Sequence, residues 1–105
     1  MKILVWFRDQ RNLSLLQHAI ADANHEPVFS AAAEPNIVVL DTPSLRDIHR
    51  LRGQCRAPII VLAHPVPLSL GGKKRYAQAG ITHFVTPDSD VRTTLTRILE
   101  IAQSA

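Results

Sequence analysis

The sequence predicts an α/β domain, a parallel sheet with helices on both faces, and three observations predict it. The runs Lys2 to Phe7, Asn36 to Leu40 and Pro58 to Ala63 are continuously apolar rather than alternating, as expected of strands buried on both sides. Stretches with apolar residues at helical spacing follow the strands. Each strand runs into polar, proline-bearing or cap-forming residues, including Asp41-Thr42-Pro43-Ser44, His64-Pro65 and Thr86-Pro87.

The elements follow in order. Lys2 to Phe7 forms the first strand, and Arg8-Asp9-Gln10-Arg11-Asn12 leads into a helix carrying Leu13, Leu16, Ala19, Ile20 and Ala23 on its inner face. Pro27 to Ala31 is a short strand. Only Ala32 to Pro35 separate it from the run at Asn36, too few residues for a crossover helix, so it reads as a frayed edge or its return as an extended tether. Asn36 to Leu40 leads to a helix with Thr42 as N-cap, Pro43 at its first position, and a stripe of Leu45, Ile48, Leu51 and Cys55. Pro58 to Ala63 is the next strand. A short helix over Lys73 to Ala79 ends at Gly80, Ile81 to Val85 is the last strand, and Asp88 or Ser89 caps a final helix with Val91, Leu95, Ile98, Leu99 and Ala102 inward.

Composition narrows the class. A chain of 105 residues with 46% hydrophobic and 20% charged residues reads as one folded domain over residues 1–105, which excludes disorder. No apolar run approaches the roughly 18 to 20 residues of a membrane span, and the start lacks a secretory core, so a cytoplasmic protein is expected. The single Cys55 excludes an internal disulfide and a cysteine zinc cage; it reads as a core thiol.

Asn36-Ile-Val-Val-Leu-Asp41, Pro58-Ile-Ile-Val-Leu-Ala63, Ala79-Gly80 and Phe84-Val-Thr-Pro87, in this order and at these separations, resemble the receiver domain of response regulators, the CheY-like family. The resemblance covers nearly the whole chain and implies a flavodoxin-like three-layer sandwich with strand order 2-1-3-4-5, here with a weak second strand and its following helix missing or reduced. It also implies that Asp41 occupies the phosphoacceptor position. The acidic pair that holds Mg²⁺ in the family falls on Phe7 and Arg8, with Asp9 one residue later. The phosphoryl-sensing hydroxyl falls on Ala63, or on His64 if one residue is deleted; the phosphoryl-pairing lysine falls on Thr86 and the aromatic switch on His83. Phosphoryl transfer depends on positioning and charge neutralisation, so the site reads as degenerate, with Asp41 either capping the helix behind it or phosphorylated. The resemblance further implies a cis Thr86-Pro87 bond, and Arg8 is expected to pair with Asp41 or Asp9.

Other candidates are weaker. The five histidines are scattered, and the only metal set worth naming is Asp9, Asp41 and His64; no metal or other cofactor is expected. No phosphate loop, nucleophile-base pair or spaced carboxylate couple is present, so an enzyme is not expected. Residues 41–75 carry seven Lys/Arg against two Asp/Glu: Arg46, Arg50, Arg52 and Arg56, with His49 among them, and Lys73, Lys74 and Arg75 read as a basic patch for an acidic partner or as a solvated surface. With few aromatics, nucleic acid is not an expected partner of this domain alone.

The expected function is therefore a non-catalytic pseudo-receiver in two-component-like signalling. It would act by protein–protein interaction or as a homodimer, either at the N-terminus of a larger transcriptional regulator or ATPase or as a stand-alone adaptor. The alternatives are a receiver phosphorylated on Asp41 and a small-ligand or metal-binding α/β domain. Apolar surface left open beside the second strand is the expected docking or self-association site.

Overall fold

The computed structural model describes residues 1–7, 10–41, 44–62, 76–81 and 83–104. Five parallel strands, β1 (Lys2–Trp6), β2 (Glu26–Val28), β3 (Ile37–Asp41), β4 (Ile59–Leu62) and β5 (His83–Val85), form one sheet in the order β2-β1-β3-β4-β5. This is the order the receiver resemblance implies. Among the described residues the helices are α1 (Gln10–Asp22), α2 (Leu45–Arg52) and α3 (Val91–Ser104), and residues 76–78 form a helical turn.

The continuous apolar runs feed two cores, because neighbouring residues of a strand point to opposite faces. Ile3, Val5, Ile37, Val39, Ile60 and Leu62 face one way, against Leu16, Ala19 and Ile20 of α1 and Leu95 and Ile98 of α3. Leu4, Val38, Leu40, Ile59 and Val61 face the other way, against Ile48 of α2 and Ile81, with Leu51 and Cys55 packed alongside. The Tyr76 ring packs tilted on Phe84 at a centroid distance of 6.0 Å.

Among the described residues, the first face carries α1 and α3, of 13 and 14 residues, and the second carries α2, of 8 residues, and the turn at 76–78. The return from β2 to β3 is a 3₁₀ turn over Ala31–Ala33, capped by the Ser30 hydroxyl, which accepts from the Ala32 N–H, and closed by Glu34 in the left-handed region. Asn36 then locks to the start of β1: the Lys2 N–H donates to Asn36 Oδ1 at 2.7 Å, and the Asn36 N–H donates to the Lys2 carbonyl at 2.8 Å. The expected shortfall of helix after the second strand is thus present, and the tether is a folded turn rather than an extended one. Phe29, 76% exposed, and Trp6, 37% exposed, line a groove of about 300 Å³ beside it.

The helix ends correct the expected caps. The N-cap of α2 is Ser44: its hydroxyl accepts from the Asp47 N–H, and the Asp47 carboxylate accepts from the Ser44 N–H, a reciprocal capping box. The helix therefore begins at Leu45, and Thr42 and Pro43 lie outside the described residues. For α3 the cap is Asp90, whose carboxylate accepts from the Arg92 N–H at 3.0 Å and the Thr93 hydroxyl at 3.3 Å. Asp88 and Ser89 precede it.

Two helical segments stop by the same device. After α1, Asn24 takes φ 64° and the His25 N–H reaches the Ile20 carbonyl; after the turn at 76–78, Gly80 takes φ 89° and the Ile81 N–H reaches the Tyr76 carbonyl. A Cβ on Gly80 would touch nothing within 4 Å, so Gly80→Ala isolates backbone strain. It is expected to lower stability by about 1–2 kcal/mol, the cost of a left-handed L-residue, read from urea denaturation. An unchanged midpoint would show that the turn at 76–80 contributes nothing to cooperative folding.

Candidate functional site

The sheet places Asp41 at the carboxyl end of β3, in register with Leu62 at the end of β4. Such strand ends are where open α/β sheets place their ligand crevices. Half-buried, Asp41 opens into a cleft of about 290 Å³. Phe7, just past β1, and Leu15 and Leu16 of α1 supply apolar wall, together with Leu62, Pro87 and Val91. Polar atoms come from Asn12, Asp88, Ser89 and Thr94.

Asp88 faces this cleft from the loop between β5 and α3, and its position is heavily constrained. Its N–H donates to the hydroxyl of the buried Thr94 at 2.8 Å, and its carboxylate accepts from the Asp90 N–H at 3.0 Å. The same carboxylate lies 3.7 Å from the half-exposed Arg97 guanidinium, which also donates to the Thr86 carbonyl at 3.1 Å. The arginine is thus engaged by the loop itself. The cleft joins two carboxylates with apolar walls.

Mg²⁺ is the ion the receiver resemblance brings to this position. Hard cations need several oxygen donors. Among the described residues no three His, Cys, Asp or Glu side chains form a metal-holding group, and position 7 brings a buried aromatic ring to the cleft wall. The described residues do not fit the ion.

The other sequence candidates separate. Arg8, Asp9, Ala63, His64, Lys73, Lys74 and Arg75 lie outside the described residues, and with them the Arg8 ion pair, the Asp9–Asp41–His64 set and half of the basic patch. His83 is half-buried on β5, and Thr86 is exposed. Thr86-Pro87 is trans, against the expected cis bond; the trans form is the lower-energy one for X-Pro, and it presents the Thr86 carbonyl to Arg97. Asp41 is not the cap of α2, because the Ser44–Asp47 box fills that role. Arg46, Arg50 and Arg56 are exposed as expected, whereas Arg52 turns back to donate to the Ala57 carbonyl at 2.9 Å and leaves the open patch.

Sequence reasoning missed Asn12, Leu15, Asp88 and Arg97. Asp88 had a signal, a carboxylate directly after a strand-ending Thr-Pro pair. Arg97 had none, since its contacts span 9 and 11 residues and depend on how α3 docks.

No family model and no curated protein matches the chain. Solved structures do. A response regulator from Desulfuromonas acetoxidans is similar with a TM-score of 0.72 at 9% identity, over 98% of this chain and 97% of its own. A response regulator protein from Burkholderia multivorans is similar at 0.69 and 23% identity, over 99% and 96%. The receiver domain of a sensor histidine kinase from Pseudomonas aeruginosa, which has a magnesium ion coordinated in its active-site cleft, is similar at 0.68 and 20% identity, over 99% and 98%. With strand order and parallel pairing in agreement, the chain has the CheY-like receiver fold of response regulators.

Proposed function

We propose that the chain is a pseudo-receiver, a signalling module that keeps the receiver fold and regulates by binding a protein rather than by accepting a phosphoryl group. The observation that carries this reading is the composition of the cleft around Asp41. A phosphoryl group arriving there needs its charge neutralised, yet the cleft offers a second carboxylate, Asp88, and a buried phenyl ring, Phe7. Among the described residues, the cation paired with the cleft's Asp88 is Arg97, and it is also engaged by the Thr86 carbonyl. Thr86, at the position of the family's lysine, brings no charge of its own. The likeness to response regulators supports the signalling role. Attachment to a larger regulator or ATPase, or action as a separate adaptor, both accord with it. No helix among the described residues is long and apolar enough to cross a membrane, which accords with action away from the bilayer.

Incubation with acetyl phosphate and millimolar Mg²⁺ tests the reading. Intact-mass spectrometry is expected to find no added phosphoryl group. An added phosphoryl mass that disappears in Asp41→Asn would establish the phosphorylatable alternative instead.

A further inference from the structure

We propose that the groove between the β1–β2 edge and α2 is the docking site of this pseudo-receiver, and that its occupant is one amphipathic helix of a partner, apolar on the inserted face and acidic along its flank. The inference rests on the binding-module reading and names its site.

The groove is lined by Leu4, Trp6, Phe29, Leu40 and Leu51, with Arg50 on the α2 wall. Among the described residues, the opposite face of the sheet carries two helices, whereas α2, of 8 residues, and the helical turn at 76–78 are what packs on this face. The chain's own return from β2 does not fill the groove: it is closed by the Ser30 cap, the left-handed Glu34 and the Lys2–Asn36 pairing, and its Ser30 and Ala31 form part of the groove wall. A helix is the element that packs on a parallel sheet face, and helix-in-groove recognition places a few apolar anchors at i, i+3, i+4 and i+7. A volume of about 300 Å³ suits such anchors, and Phe29 and Trp6 supply the exposed aromatic surface that dominates docking energies.

Charge selects the flank. Arg50 lines the groove, and Arg46 stands one turn before it on α2; both are exposed, and neither has a carboxylate partner among the described residues. Asp47, the acidic residue on that wall, already caps its own helix. An acidic flank meets these two arginines. A second copy of this chain, with net charge +3, would bring the same arginines against one another.

Trp6 is the one tryptophan of the sequence and stands in the groove, so its fluorescence reads occupancy directly. The probes are two helical peptides of about 18 residues, long enough to hold a helix in water, with leucines at the anchor spacing and either glutamate or lysine flanks. The glutamate peptide is expected to shift Trp6 emission saturably and the lysine peptide to bind at least about tenfold more weakly. Phe29→Ala is expected to cost the glutamate peptide about tenfold in Kd while leaving the unfolding midpoint in place, and Arg50→Glu to reverse the peptide preference. No saturable response, or equal affinity for both peptides, overturns the inference. So does sedimentation showing a homodimer that Phe29→Ala dissolves, which would seat a second copy in the groove. Phosphoryl labelling of Asp41 in the same preparation would sink the pseudo-receiver reading and leave the peptide result standing.

Discussion

Ile60→Ala is expected to lower the unfolding free energy by about 2–5 kcal/mol, the range for an isoleucine removed from a close-packed core. Ile60 is fully buried in β4, where it pairs with Val39 on one side and His83 on the other. Its side chain belongs to the core closed by Leu95 and Ile98, so its loss opens a void beneath α3. For a domain of this size, whose whole stability is about 5–15 kcal/mol, the variant should show a much lower urea midpoint with an unchanged slope. Phe29→Ala is the contrast: 76% exposed, it should stay within about 0.5 kcal/mol of the parent. A small loss at Ile60 would mean that the void collapses easily and that the packing between α3 and the sheet is loose.

Phe7→Asp is expected to be more costly still. It removes a buried ring from the core and the cleft wall, worth about 3–5 kcal/mol on the scale of phenylalanine truncations. It also brings a third carboxylate to the cleft that already holds Asp41 and Asp88, with no partner provided for it. The same substitution gives a hard cation a new oxygen donor beside Asp41. Millimolar Mg²⁺ is therefore expected to raise the Tm of the variant, since a ligand that binds only the folded state stabilises it, and to leave the parent's Tm unchanged. A parent stabilised by Mg²⁺ would reveal a metal site independent of position 7. A variant as stable as the parent would show that the ring packs nothing.

The sheet was legible because its evidence is local. β3 and β4 sit between two covered faces, so every position had to be apolar, and Ile37 to Leu40 and Ile59 to Leu62 announce that without reference to the rest of the chain. The short return after β2 was legible by counting residues. The caps were harder. Ser44 and Asp47 have the spacing of a capping box, but Pro43 suggested an earlier start; Asp88, Ser89 and Asp90 are three adjacent candidates, and local chemistry does not choose among them. The cleft was half legible. Asp41 and Phe7 come from strand ends whose positions the topology fixes. Asn12 and Leu15 reach it only because α1 packs against β1, β2 and α3, and the Asp88–Arg97 pair only because α3 docks where it does. Those contacts are tertiary, and no periodicity encodes them.

The two lateral strands of the sheet, β2 and β5, are each three residues long, and the middle residue of β2 is Pro27, which has no N–H to offer a neighbour. A row of free main-chain donors and acceptors is what invites an incoming strand, whether from a peptide ligand, a swapped copy or a growing fibril. Here that row is cut short at both margins. The sheet is accordingly a poor template for main-chain augmentation, and association with this molecule is directed to its faces, where side-chain shape and charge discriminate between partners and backbone pairing does not.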